Sequence, residues 1–199
     1  MKFDSIHKTK ARNAAKIIRA KLAANRPGAG VELLRHWPDV GYKPHRDKGR
    51  VAAYIPIHSE IDVWPLMRAM EQAGHSLALP CIKRTAHPLE FREFTPGDML
   101  KRGAFGTREP MRSAALVTPD IVLLPLLAYA RNGTRLGYGG GFYDRTLAAF
   151  RQKETHAGQI FACGVAYSGQ EVPTLPTGQY DEKLDGVLTE TGFRKFTCG

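Results

Sequence analysis

Between Arg135 and Asp144 the chain reads RLGYGGGFYD, with Gly137, Gly139, Gly140 and Gly141 filling four of five consecutive positions. A stretch so poor in side chains cannot hold a shape by its own packing, so its neighbours must impose one. Ahead of it, Ile121 to Leu127 is apolar enough for a buried strand; behind it, Asp144 to Arg151 reads as a helix. Strand, glycine turn and helix start make a unit in which backbone N–H groups converge on an anion. Glycine serves there by allowing positive φ and close approach of a bulky ligand. Two better-known phosphate loops are excluded. No Gly-Lys pair occurs, which rules out the P-loop. The fingerprint G-x-G-x-x-G meets Phe142 when started at Gly137 and Asp144 when started at Gly139. A plain surface turn would explain the glycines, but not Arg135, Tyr138, Tyr143 and Asp144 set so closely around them.

The remaining segments read as an α/β chain. From about Ser5 to Asn25, Ala11, Ala15, Ile18 and Leu22 recur at helical spacing and predict the buried stripe of a helix that Pro27-Gly28 ends. Lys8, Arg12, Lys16 and Arg19 form a second stripe about a quarter turn away, expected on the helix's shoulder. Val31 to Trp37 predicts a short helix and Asp39 to Arg50 a polar loop. Val51 to Ile55 reads as a central strand stopped by Pro56. Ile61 to Ala73 follows as a helix with Val63, Leu66, Met67 and Met70 on one face, then Ser76 to Pro80 as another strand. This order implies a right-handed parallel crossover, with ligands beyond the carboxyl ends of the strands. Leu89 to Phe94 is an edge strand or hairpin arm, Ile160 to Tyr167 a buried strand, and Gly186 to Glu190 the strand that closes the sheet. No linker, repeat or low-complexity tract interrupts the chain, so residues 1–199 read as one domain.

Composition narrows the function classes. No apolar run reaches the length of a membrane span, and MKFDSIHKTK lacks the apolar stretch of a secretory signal. Cys81, Cys163 and Cys198 are too scattered for thiolate metal binding and suit reduced thiols in the cytoplasm. The net charge of +10 calls for an anionic partner. The basic residues form no dense run and no nucleic-acid motif, so a small anionic substrate is the expected partner and nucleic acid is not.

The segment Arg135 to Asp144, with the Ile-Val-Leu-Leu-Pro run ahead of it, resembles the signature of the 5-formyltetrahydrofolate cyclo-ligase family. The resemblance extends over most of Val51 to Glu190 and is weakest in the first fifty residues. Gly103 to Pro110 resembles the family's Phe-Gly-x-x-Glu-Pro segment, and Tyr180 to Asp185 its closing acidic segment. One departure stands out: the family usually places an aspartate after the aromatic residue that follows the strand, where this chain has Tyr129 and Ala130. The resemblance implies a three-layer α/β/α domain with a mostly parallel sheet. It also implies a monomer that takes ATP and a reduced folate, with Mg²⁺ as cofactor.

Site residues follow from the same resemblance. Lys8 and Arg12 match a lysine and arginine four apart that contact ATP phosphates, with Lys10 and Lys16 as rivals. Arg135, Leu136, Gly137, Tyr138, Gly139, Gly140, Gly141, Phe142 and Tyr143 would hold ATP, with Arg135 and Tyr143 as the catalytic pair. Ile55 and Glu60 would contact the folate, together with Tyr138, Gly139, Gly140, Gly141 and Phe142. For Glu60 the competing reading is a carboxylate complementing a helix dipole. Asp144 and Asp181 would bind Mg²⁺, with Asp185 the rival of Asp181 and helix capping the rival role of Asp144.

Overall fold

The computed structural model describes residues 2–40, 49–152 and 160–196. Most of the polar loop after Asp39, and Cys198, lie outside the described residues. Four helices, α1 (Lys2–Asn25), α2 (Ala29–His36), α3 (Trp64–Gln72) and α4 (Phe142–Arg151), accompany thirteen strands among the described residues. The strands are β1 (Arg50–Ala52), β2 (Ser76–Cys81), β3 (Glu90–Phe94), β4 (Leu100–Arg102), β5 (Arg108–Pro110), β6 (Leu116–Val117) and β7 (Ile121–Pro125). β8 (Ala128–Ala130), β9 (Arg135–Leu136), β10 (Phe161–Val165), β11 (Glu171–Val172), β12 (Gly186–Thr189) and β13 (Gly192–Lys195) complete them.

Eight strands form the main sheet in the order β13-β12-β10-β7-β1-β2-β3-β6. The five at its centre, from β12 to β2, are parallel, while β13, β3 and β6 add antiparallel pairs at the two sides. The apolar run at residues 121–125 pairs on both sides, which is why its residues are almost continuously buried. Alternation splits the core. Val51, Leu77, Leu79, Ile121 and Leu123 face the α2 and α3 side with Leu33, Leu66, Met67 and Met70. Ala52, Ala78, Val122, Leu124 and Ala162 face Leu147 of α4. The architecture is therefore α/β with helices on both faces of a mostly parallel sheet.

The sheet supplies the position of the site. From β1 the chain moves through β2 to β3 on one side, and from β7 through β10 to β12 on the other. A crevice opens where the two directions part, outside the carboxyl ends of β1 and β7.

Three sequence expectations are corrected. α3 starts at Trp64 rather than Ile61, because Pro65 suits a first helical turn and Asp62 Oδ1 accepts the Trp64 N–H at 2.9 Å. The sheet does not close at Glu190: the chain turns at Gly192 and β13 pairs antiparallel outside β12. The buried stripe of α1 departs from the expected one at one position: Ala11, Ala15 and Leu22 pack inward, but Ile18 does not. Ile18 is exposed, whereas Arg19 is buried, and the inward residues run Lys8, Arg12, Ala15, Arg19, Leu22. This face meets Ala128, Leu136 and Val172 of β8, β9 and β11 as well as the segments beyond β1 and β7, where the guanidinium of Arg19 finds its polar partners.

Candidate active site

A cleft of about 510 Å³ lies at the carboxyl ends of β1 and β7. It collects Lys8 and Arg12 from α1, Ile55 and Glu60 from the turn after β1, and Asp181 from the segment before β12. The whole run from Arg135 to Asp144 also lines it. Every site residue expected from the sequence therefore lies on one surface. Of the rivals, Lys10 and Asp185 are not among the residues lining it. Asp185 instead holds Arg151 at 3.2 Å and accepts the Ala162 N–H at 2.7 Å. Lys16 is exposed, with Nζ 5.7 Å from the Tyr138 ring centre.

The glycine loop is braced by two arginines. Arg12 Nε donates to the Gly137 carbonyl at 3.0 Å, and Arg145 Nη2 to the Gly140 carbonyl at 2.8 Å. With carbonyls taken up from outside, the N–H groups of residues 137–141 carry no hydrogen bond among the described residues. They are donors of the kind that receive an anion. Glycine is needed at two points. Gly139 has φ +100°, and a Cβ there would stand 3.0 Å from Arg12 Cζ; Gly141, at φ +64°, precedes α4 with Arg145 Nη1 2.7 Å from its would-be Cβ.

Cations and carboxylates in the cleft are paired with each other. Lys8 Nζ lies 2.5 Å from Asp181 Oδ2, which also accepts the Gly178 N–H at 2.8 Å. Arg135 Nη2 lies 2.6 Å from Asp144 Oδ1, which also accepts the Glu182 N–H at 3.2 Å. Asp144 thus sits in the first turn of α4 without capping it; its partner is a guanidinium. Burial holds the Arg135 pKa below its ordinary value against the pull of Asp144. The bonds of each carboxylate fall on a single oxygen, so each keeps a second one as a hard-cation donor. Two such oxygens, completed by phosphate and water, are the donor set that Mg²⁺ takes. The residues fit the ion.

Glu60 faces the opposite wall. It is 9% exposed, accepts the Ile57 N–H at 2.9 Å through Oε2, and has Arg19 Nη1 3.8 Å from Oε1. Burial pushes its pKa up to about 7, with the Ile57 N–H, Arg19 and the Tyr138 hydroxyl pulling the other way. Burial wins because 3.8 Å is an ion pair without a hydrogen bond. Tyr143, between Glu60 and Arg135, is held neutral first by burial and then by the Glu60 carboxylate. The cleft therefore has a cationic, N–H-rich end and an aromatic end carrying one proton-labile carboxylate.

The profile of the 5-formyltetrahydrofolate cyclo-ligase family matches residues 7–190. The chain belongs to this family. It is 34% identical to the 5-formyltetrahydrofolate cyclo-ligase of Haemophilus influenzae over 148 residues, 72% of this chain and 76% of the relative. It is 32% identical to that of Mycolicibacterium smegmatis over 168 residues, 80% and 81% of the two chains. The structure is similar to that of Aquifex aeolicus 5,10-methenyltetrahydrofolate synthetase, with a TM-score of 0.75 and 28% identity over 96% of this chain and 94% of that one.

Within this cyclo-ligase family member, Ala130 is buried in β8, which pairs with β9 to deliver the glycine loop. The turn between them is held by Asn132 Oδ1 accepting the Thr134 N–H at 3.1 Å. Glu109, assigned no role from sequence, lines the cleft; its Oε1 accepts the Ile82 N–H at 3.1 Å and ties β5 to the end of β2. Sequence reasoning missed His58, Phe105 and Arg108 on the cleft wall. His58 and Phe105 adopt positive φ (54° and 57°), a conformation that a histidine or phenylalanine in a sequence does not announce. It also missed Arg19 as a cleft residue's partner. The signal was present: Arg19 falls seven residues after Arg12, on the same face of α1.

Proposed function

We propose that this chain uses MgATP to convert 5-formyltetrahydrofolate into 5,10-methenyltetrahydrofolate, ADP and phosphate. The observation that carries the reading is a single cleft joining a cationic glycine loop to an aromatic wall bearing Glu60. The formyl oxygen is a poor leaving group until it is phosphorylated. Transfer of the γ-phosphoryl group to that oxygen, attack of N10 on the same carbon, and loss of the N10 proton and of phosphate then close the ring. Such chemistry asks the protein for alignment and charge more than for covalent help.

The chain's residues divide that work. The N–H groups of residues 137–141 cradle phosphate, while Lys8, Arg12 and Arg135 offset charge on the transferring group. Before ATP arrives, Lys8 and Arg135 are neutralised by Asp181 and Asp144. Binding exchanges these internal pairs for bonds to phosphate. Asp144 and Asp181 would then hold Mg²⁺, which supplies Lewis-acid stabilisation of the phosphoryl oxygens. Tyr143 donates its retained proton to a phosphate oxygen. Ile55, Tyr138 and Phe142 pack against the folate ring, and ionised Glu60 accepts paired pterin N–H donors.

The deciding experiment follows the near-ultraviolet absorbance of the methenyl product from 5-formyltetrahydrofolate and MgATP. Product formation is expected. A folded protein that binds ATP but yields no product would overturn the substrate assignment and point to another formyl or carboxyl compound.

A further inference from the structure

We infer that Arg19 is a positioning residue that sets the aromatic end of the cleft, holding the Glu60 carboxylate and the Tyr138 phenol around one buried guanidinium. Its functional wording rests on the reading proposed above; its geometry does not. Arg19 is only 2% exposed, and its guanidinium reaches three separate segments. Nε donates to Ser59 Oγ at 3.1 Å in the turn after β1. Nη1 donates to the Leu126 carbonyl at 3.2 Å, just beyond β7. Nη2 donates to the Tyr138 hydroxyl on the glycine loop.

The contact with Tyr138 is double, because the guanidinium carbon also lies 5.3 Å from the ring centre. Tyr138 stays 38% exposed and lines the cleft, so Arg19 holds the ring without withdrawing it from the site. The hydroxyl accepts from Arg19, and the Glu60 carboxylate stands close enough for each to shift the other's titration. Arg19 thus joins Tyr138, by a hydrogen bond, to Glu60, by an ion pair of 3.8 Å, and the triad draws its members from α1, the glycine loop and the turn after β1. A lysine cannot reproduce the fork: it offers one point charge where three directions are used.

The triad has a measurable consequence at Glu60. The groups facing that carboxylate are Arg19, the Tyr138 hydroxyl and the Ile57 N–H, all favouring ionisation, and the phenols of Tyr54 and Tyr143, both kept neutral chiefly by burial. Removing the guanidinium takes away the full positive charge among them. Glu60 then holds its proton to higher pH, and the aromatic end loses the anion that its ligand's N–H donors need.

The test uses the full chain without ligands. The Glu60 carboxyl is followed by carbon-detected NMR through a pH titration, with its signal identified by Glu60→Gln. In Arg19→Gln the midpoint is expected to rise by about one pH unit or more, a tenfold change in proton affinity, and in Arg19→Lys by less. Tyr138→Phe, which keeps the ring and Arg19, should also raise it. An unmoved midpoint in folded Arg19→Gln, or in Tyr138→Phe should the first variant not fold, overturns the proposal. Kinetics gives a second readout: in Arg19→Gln the KM for 5-formyltetrahydrofolate should rise about tenfold at neutral pH, and the acidic limb of the profile should move upward. A purely structural arginine would lower stability and leave that limb in place. Absence of all cyclo-ligase activity would defeat the functional reading while the titration still decides the role of Arg19.

Discussion

At Glu60 burial and charge pull in opposite directions, and the outcome sets a pH dependence. The native carboxyl releases its proton near pH 7, against 4.5 for the ordinary group. A raised native pKa stabilises the fold fully below the unfolded value, and that stabilisation disappears as pH rises through the native value. Glu60→Gln abolishes the titration. The variant should therefore gain on the parent between pH 4.5 and 7, by up to about 3 kcal/mol, read from urea midpoints at the two ends of the range. Its folate KM should rise at least tenfold at pH 8, a loss on the order of 1.5 kcal/mol, with the ATP KM little changed. Equal damage to both KM values would make Glu60 a structural carboxylate. Asp144→Asn separates ligand from cap in a different way. Asparagine caps as well as aspartate, but here it would leave the buried Arg135 guanidinium without its anion. We expect kcat to fall by about a hundredfold or more and stability by about 1–3 kcal/mol. Partial recovery of rate at high Mg²⁺ would mark the metal role, whereas near-parental turnover at low Mg²⁺ would rule it out. At this scale the sequence showed which residues meet but not how they are paired. The Lys8–Asp181 and Arg135–Asp144 contacts depend on side-chain directions that spacing alone does not give.

Among the elements, α1 sends two cations, Lys8 and Arg12, into the cleft. Arg12→Ala removes both a cation of the cleft and the brace on the Gly137 carbonyl, so, if ATP sits on the glycine loop as proposed, its KM should rise about tenfold or more while that for folate moves little. An unchanged ATP KM would mean that the helix serves only as packing. Gly139→Ala attacks the same contact from the other side. A Cβ at φ +100° is strained, and it would crowd Arg12 Cζ at 3.0 Å. The expected loss is about 1–3 kcal/mol of stability together with a weakened ATP site, measured by thermal unfolding with and without ATP. The glycine loop, α3 and the buried strands were legible because periodicity and turn residues are local signals. The facing of α1 was not: Ala11, Ala15, Ile18 and Leu22 fit one stripe and Lys8, Arg12, Ala15, Arg19 and Leu22 another. Apolarity favours the first. The two overlap at Ala15 and Leu22, and Arg19 replaces Ile18 inside because the surface α1 meets offers, beside Leu127, Ala128 and Leu136, a loop carbonyl, a serine, a tyrosine and carboxylates. β13 escaped notice because a four-residue strand with Arg194 and Lys195 carries almost no apolar pattern.

For the whole molecule, the net charge of +10 is consistent with two anionic substrates converging on one cleft. Ligands that bind only the folded chain raise its stability by mass action, about 2.7 kcal/mol at a hundred times Kd. We expect MgATP at that concentration to raise Tm clearly in the parent chain and much less in Lys8→Met. An equal rise in both would remove Lys8 from the ATP site. Among the described residues no helix is long and apolar enough to cross a membrane. The order of strands was beyond sequence reading, since β1 neighbours β7 only through pairing of distant segments, and the cleft lies at that junction.

The Lys8–Asp181 pair joins positions 173 residues apart. Protein synthesis delivers the amino end first, so a growing chain that has emerged as far as Asp144 already displays Lys8, Arg12 and the glycine loop. It still lacks the carboxylate that neutralises Lys8. Lys8 therefore meets its counter-charge only after the segment carrying Asp181 has been made, so the two flanks of the cleft are joined by charge across most of the sequence.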